Sequence, residues 1–279
     1  MKLVQTKDAL RQCVAELDGS VALVMTMGAL HEGHLSLVHA AKEAADHVVV
    51  SIFVNPLQFA PNEDFDAYPR TLEADLALLA PAGVDLVFAP EETAIYPRMP
   101  LVRIDPGPVA KILEGKTRPT HFAGVLQIVH KIFNLVRPDL AFFGQKDAQQ
   151  LALIRTMVDD LDMPLEIRAV PIKREADGLA MSSRNSYLSA AERKDALTLS
   201  RALVRGREKA LTGANVTQIE AAVREELATC SGVKIDYVEL VDPATFLALA
   251  PDHHGSALIV LAAWVGNTRL IDNCEVQVD

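Results

Sequence analysis

Two histidines three positions apart, His31 and His34, stand inside the stretch Thr26-Met27-Gly28-Ala29-Leu30-His31-Glu32-Gly33-His34. The apolar run 21–25 before them reads as a short buried strand, and 35–46 after them as a helix. The pair therefore falls at a strand-to-helix turn, the edge at which open α/β sheets bind ligands. Unpaired N–H groups and the dipole at a helix N-terminus favour anions, and imidazole N–H groups there could donate to a phosphate. Gly28 and Gly33 allow close backbone approach and positive φ. The same histidines also suit a plain helix cap. A metal pair is a third reading, although no third ligand follows at zinc spacing. The strand, the glycines and the edge position favour a nucleotide phosphate.

Two further segments have matching chemistry. Phe143-Gly144-Gln145-Lys146-Asp147 again joins a strand to a helix; Lys146 offers a point charge to phosphate, while Gly144 and Asp147 suit a ribose, although a strand–glycine–polar turn is equally common without any ligand. Gly178-Leu179-Ala180-Met181-Ser182-Ser183-Arg184-Asn185 places two hydroxyls beside an arginine, which reads as a polyphosphate clamp or as an ordinary polar turn.

The elements that must hold these segments alternate. Strand signals at 21–25, 47–54, 85–88, 140–144 and 166–172 are separated by helical ones at 35–46, 72–80, 109–114, 125–135 and 148–160. Strand, helix and strand within some 35 residues make a βαβ unit, so residues 1–172 are expected to form a doubly wound, Rossmann-like parallel-sheet domain. Near the start, Leu3, Leu10, Val14 and Leu17 fall at helical spacing. From residue 173 the order changes to two helices (190–211 and 216–228) and three strands (234–241, 258–265 and 269–275), a smaller α+β domain over 173–279.

Composition excludes several classes. With 27 Lys+Arg against 37 Asp+Glu the net charge is −10, which argues against general nucleic-acid binding. The longest apolar run, 257–265, is nine residues, well short of the ~18 a bilayer helix needs. The N-terminal residues carry Asp8 and Glu16 and lack the pattern of a signal peptide, so the cytoplasm is the expected location. Cys13, Cys230 and Cys274 are far apart and support neither a disulfide framework nor a zinc site.

Taken together, the segments resemble the HxGH nucleotidyltransferase superfamily, with His31–His34 matching its signature and Met181-Ser182-Ser183-Arg184 a degenerate counterpart of its KMSKS loop. The blocks TMGALHEGHLSLV, FVNPLQF, EDFDAYPRTLEAD, HFAGVLQIVHKIFNLVRPDLAFFGQKDAQQL and DGLAMSSRNSYLS narrow the resemblance to the pantoate–β-alanine ligase family, over nearly the whole chain. That resemblance implies ATP-dependent condensation of pantoate with β-alanine through a pantoyl adenylate, releasing AMP and pyrophosphate. It implies that Thr26, Met27, Gly28, Ala29, Leu30, His31, Glu32, Gly33 and His34 bind ATP, with His34 catalytic and His31, Lys146 and Arg184 supporting it. Gly144, Gln145, Lys146, Asp147, Lys173, Met181, Ser182, Ser183 and Arg184 would complete the ATP contacts, with magnesium held largely by the phosphates and water. Gln58 would meet both pantoate and β-alanine, and Gln150 pantoate. Asn55 and His121 would belong to the same pocket, the smaller domain would cover the site, and the enzyme would be a homodimer.

Three positions depart from the family pattern: Met25 stands where proline is usual, Gln145 where glutamate is, and Lys173 where valine is. A sister enzyme adenylylating a phosphorylated acceptor would need further basic residues and has no use for Gln58 and Gln150. A non-catalytic nucleotide-binding or RNA-associated module is disfavoured by the complete donor set and the net charge.

Overall fold

The computed structural model describes residues 1–60, 63 and 65–279; Asp64, inside the block EDFDAYPRTLEAD, lies outside the described residues. The chain divides into two compact units: Met1–Gln145 with Leu153–Pro171, and Lys146–Ala152 with Ile172–Asp279. In chain order the first elements are β1 (Lys2–Val4), α1 (Lys7–Ala15), β2 (Val21–Thr26), α2 (Glu32–Ala44), β3 (His47–Ile52), a 3-10 turn (Pro56–Gln58), α3 (Leu72–Leu79) and β4 (Leu86–Phe88). They continue with α4 (Glu92–Ile95), α5 (Glu114–Thr117), α6 (His121–Val136), β5 (Leu140–Gly144), a second 3-10 turn (Gln145–Asp147), α7 (Ala148–Asp160) and β6 (Glu166–Val170).

The first unit is built on a six-stranded sheet of order β1-β4-β3-β2-β5-β6 with every pairing parallel. The chain winds outward from β2 through β3 and β4, then returns to lay β5 on the other side of β2. The order reverses between β2 and β5, which is where such sheets open a crevice at their carboxyl ends. Strands covered on both faces must be apolar throughout: Val21, Ala22, Leu23 and Val24 of β2 are all buried, as are Val48, Val49 and Val50 of β3. Helix α2 lays Leu35, Val38 and Ala41 against this core. The fold is thus the doubly wound α/β architecture expected from the sequence.

The second unit contains a 3-10 turn (Ser183–Tyr187), α8 (Ala190–Ala210), α9 (Val216–Ala228), β7 (Val233–Val241), β8 (Gly255–Val265) and β9 (Thr268–Val278). The strands form an antiparallel sheet of order β7-β8-β9, and its own core includes Leu199, Leu203, Ile219, Val223, Ile259 and Leu261.

Local expectations failed in two places. Leu3 does not continue a helical stripe: it lies in β1, three residues that pair with Leu86, Val87 and Phe88 of β4. So short a strand has no periodicity of its own and exists through its partner. Residues 109–114 are not one helix either. Pro108 opens a 3-10 turn ending at Lys111, and Leu113, at φ 48°, breaks the chain before α5; proline is tolerated at a helical first turn and nowhere deeper. Among the described residues no helix is long and apolar enough to cross a membrane.

Candidate active site

Beyond β2 the chain turns through Gly28 at φ +87° and Ala29 at φ +51°. The left-handed region is open to glycine but costs another residue roughly 1–2 kcal/mol, so the turn needs an outside hold. Asp75 of α3 supplies it. Its carboxylate, 1% exposed, accepts the Ala29 N–H at 3.1 Å, the Leu30 N–H at 2.9 Å and the Thr71 hydroxyl at 3.2 Å. A Cβ on Gly28 would stand 3.0 Å from the same carboxylate. On the sheet side, Thr26 donates its hydroxyl to the Ser51 carbonyl at 3.0 Å and accepts the Gly28 N–H at 3.3 Å.

This turn delivers the two histidines to the start of α2. His31 is the N-cap: its Nδ1 accepts the Gly33 N–H at 3.1 Å, and its own N–H is accepted by Nδ1 of His34 at 3.3 Å. A neutral imidazole that accepts at Nδ1 carries its proton at Nε2. The reciprocal cap therefore sets both rings as Nε2–H donors at the positive end of a 13-residue helix. Their centroids are 4.1 Å apart. Glu32 between them is exposed, and Met27, Gly33 and both histidines are half-buried.

Gln58 ends the 3-10 turn after β3 and is 8% exposed. Its Oε1 accepts from Asn55 Nδ2 at 3.2 Å, and its Nε2 approaches the Met27 sulfur at 2.8 Å. Asn55 is held in turn by the Gly124 carbonyl at 3.0 Å and the Tyr96 hydroxyl at 3.0 Å. Burial keeps the Tyr96 phenol protonated far above its ordinary range, with the Glu92 charge adding to the effect. The Gln58 carbonyl accepts from His121 Nδ1 at 2.9 Å, while His121 Nε2 accepts from Arg118 at 3.1 Å. Arg118 closes the chain with a two-pronged pair to Glu63, both bonds 2.7 Å. Burial works to raise the Glu63 carboxyl, but the Arg118 hydrogen bonds and charge outweigh it and hold it below the ordinary carboxylate range. The turn lies so close to α6 that a Cβ on Gly124 would meet the Leu57 carbonyl oxygen at 2.1 Å. Asn55, Gln58 and His121 are thus brought together by direct hydrogen bonds.

The other candidate residues are found in both units. Gly144 ends β5 and Gln145 opens the 3-10 turn after it, both in the first unit; a Cβ on Gly144 would touch nothing within 4 Å, so protein packing does not require a glycine there. Lys146, Asp147 and Gln150 belong to the second unit, as do Lys173, Met181, Ser182, Ser183 and Arg184. Residues 173–181 form a small hairpin: Met181 N–H donates to the Lys173 carbonyl at 2.9 Å, and Glu175 N–H to the Leu179 carbonyl at 2.8 Å. Ser182 then caps the next turn by accepting the Arg184 N–H at 3.3 Å. Lys173 is exposed and Met25 half-buried, so the packing of the described residues accommodates both departures. Among the described residues no group of three or more His, Cys, Asp and Glu side chains is placed to hold a metal ion.

Sequence reasoning missed Asp75, Tyr96, Arg118 and Glu63 as supports of the site. Asp75 left one faint signal: with Glu73 it is one of two carboxylates in the first turn of α3, and it is the buried one.

The pantoate-beta-alanine ligase family model matches residues 2–275. The pantothenate synthetase of Thermobifida fusca is 54% identical over 263 residues, covering 91% of this chain and 89% of that protein. The crystal structure of pantothenate synthetase from Thermus thermophilus superimposes with a TM-score of 0.94 at 46% identity, over 99% of this chain and all of that one. The ligase from Francisella tularensis, solved in complex with beta-gamma ATP and beta-alanine, matches with a TM-score of 0.81 at 35% identity over 98% of this chain and 97% of that one. With the family model matching residues 2–275 and the fold of a pantothenate synthetase shared over 99% of the chain, the chain belongs to the pantoate–β-alanine ligase family.

Proposed function

We propose that the chain joins pantoate to β-alanine in two steps, with the cap of α2 as its phosphate site. First the pantoate carboxylate attacks the α-phosphorus of ATP, a P–O bond forms, and the bond to pyrophosphate breaks. The β-alanine amine then attacks the acyl carbon of the mixed anhydride; its C–O bond breaks, AMP leaves, and the amine gives up a proton. A carboxylate is already nucleophilic, so the first step needs donors for developing negative charge rather than a base. The observation that best supports this reading is the reciprocal cap, which sets His31 and His34 as Nε2–H donors and so fits them to stabilise rather than to deprotonate.

His34 takes the catalytic part and His31 the supporting one, with Thr26, Met27, Gly28, Ala29, Leu30, Glu32 and Gly33 shaping the nucleotide loop. Gln58, its amide held by Asn55, meets pantoate and β-alanine; Gln150 meets pantoate. Gly144, Gln145, Lys146, Asp147, Lys173, Met181, Ser182, Ser183 and Arg184 are the further contacts to ATP. Magnesium bound with the nucleotide would supply charge neutralisation on the triphosphate, held largely by the phosphates and water rather than by a protein cage. The working enzyme is a cytoplasmic homodimer.

The deciding assay incubates the protein with ATP, pantoate and β-alanine and measures AMP, ADP and pyrophosphate. AMP and pyrophosphate that form only with pantoate and β-alanine support the ligation. ADP as product, or AMP transfer to a phosphorylated acceptor instead, rejects it.

A further inference from the structure

Strand β9 carries two adjacent polar residues, Asp272 and Asn273, that are 3% and 5% exposed. Burying a carboxylate and an amide costs free energy unless both are satisfied, so their bonds show what the strand accommodates them for. Asn273 Nδ2 donates to the Lys146 carbonyl at 3.0 Å, across 127 positions of sequence. Asp272 receives Arg174 in a two-pronged pair at 2.6 and 2.9 Å, and Arg174 also donates to the Gly178 carbonyl at 3.1 Å. The two residues are linked, since the Asn273 N–H donates to Asp272 Oδ1 at 2.8 Å. Burial works to lower the Arg174 pKa, but the bonds and charge of Asp272 outweigh it and hold it above its ordinary value.

One side chain thus ties the turn that bears Lys146, and its neighbour ties the hairpin that runs directly into Ser182, Ser183 and Arg184. The stretch Lys146–Ala152 groups with the second unit although it follows β5 of the first, and the Asn273 bond is a visible tie in that grouping. We infer that Asp272 and Asn273 are positioning residues that hold the Lys146 turn and the Ser182-Ser183-Arg184 segment in fixed register with one another. The inference rests on the proposed ATP contacts of those segments. Neither residue touches substrate in this account; each acts through another group.

A double-mutant cycle tests it. Lys146→Ala, Asn273→Ala and the double variant are compared by pyrophosphate release with all substrates present. Asn273→Ala is expected to lower the rate about tenfold, because a small misplacement of a preorganised group is expensive, and to leave the KM for pantoate unchanged. In the Lys146→Ala background it should add almost nothing, since a positioning residue has no effect once its client is gone. Val276→Ala, in the same strand, serves as the stability control: it should lower Tm without the kinetic loss. Should Asn273→Ala fail to fold, Arg174→Lys replaces it. That change keeps the charge but loses the two-pronged geometry, and its loss should vanish in an Arg184→Ala background. Additive losses, or a kinetic loss in Val276→Ala matching that of Asn273→Ala, overturn the inference alone. Lys146→Ala at the wild-type rate instead overturns the reading of Lys146, and the positioning role with it.

Discussion

His34 performs two tasks with two nitrogens, and substitutions can separate them. Nδ1 accepts the His31 N–H in the helix cap, and Nε2–H is the proposed donor to phosphate. His34→Ala removes both and should lower the adenylation rate by about 10²–10³, the cost of losing one preorganised donor. An asparagine oxygen reaches the place of Nδ1, whereas a glutamine nitrogen reaches that of Nε2. Asn should therefore keep more of the ~1 kcal/mol of a helix cap, and Gln more of the rate. A His34→Ala variant within threefold of wild type would reduce the histidine to a cap. For Gln58, whose amide is held by Asn55, alanine should raise the KM for pantoate most and also weaken β-alanine use; equal losses across all three substrates would mark it as structural. The HxGH spacing was legible because the histidines and their helix are contiguous. Asp75 and Asn273 were not, because their partners lie 45 and 127 positions away, and nothing in their own neighbourhoods announces which backbone they will meet.

The elements were legible in proportion to their independence. Helices α7 and α9 and strand β5 end where their sequence patterns end, at 148–160, 216–228 and 140–144. Helix α2 begins three residues before its apolar stripe, because the cap of His31 rather than hydrophobicity sets its start. The 3-10 turn of Gln58 was invisible as an element, being held from outside by α6 and by Glu63, Arg118 and His121. Two predictions follow that dependence. Gly124→Ala should force α6 from the turn, since its Cβ would meet the Leu57 oxygen; overpacking of this kind costs about 1–3 kcal/mol, and the KM for pantoate should rise along with the loss of Tm. The Glu63–Arg118 pair should also make stability fall in acid. The folded carboxyl sits below its ordinary value, so its contribution is complete above the unfolded pKa of about 4.3 and is lost as pH falls through the folded value. Thermal melts from neutral pH downward should show a steeper acid decline in wild type than in Glu63→Gln. Parallel curves would mean that the pair contributes nothing to folding.

At the scale of the molecule, a protein of net charge −10 must bind a polyanion, so its local donors work against its overall field. Which of the two dominates depends on distance, and salt sets the distance. At about 0.01 M the Debye length is roughly 30 Å, long enough for the whole protein to act on the nucleotide; at about 0.1 M it is roughly 10 Å, and only nearby groups remain. Raising salt over that range should remove long-range repulsion while leaving most of the attraction of the α2 N-terminus, His31 and His34. ATP affinity should accordingly tighten from about 0.01 to 0.1 M and weaken beyond it, as the local donors are screened in their turn. The pattern differs from that of a basic funnel, where salt weakens binding from the start. Equilibrium titration of ATP at fixed magnesium across the series measures it. A Kd that rises steadily from the lowest salt would mean that the local donors outweigh the net charge at every distance.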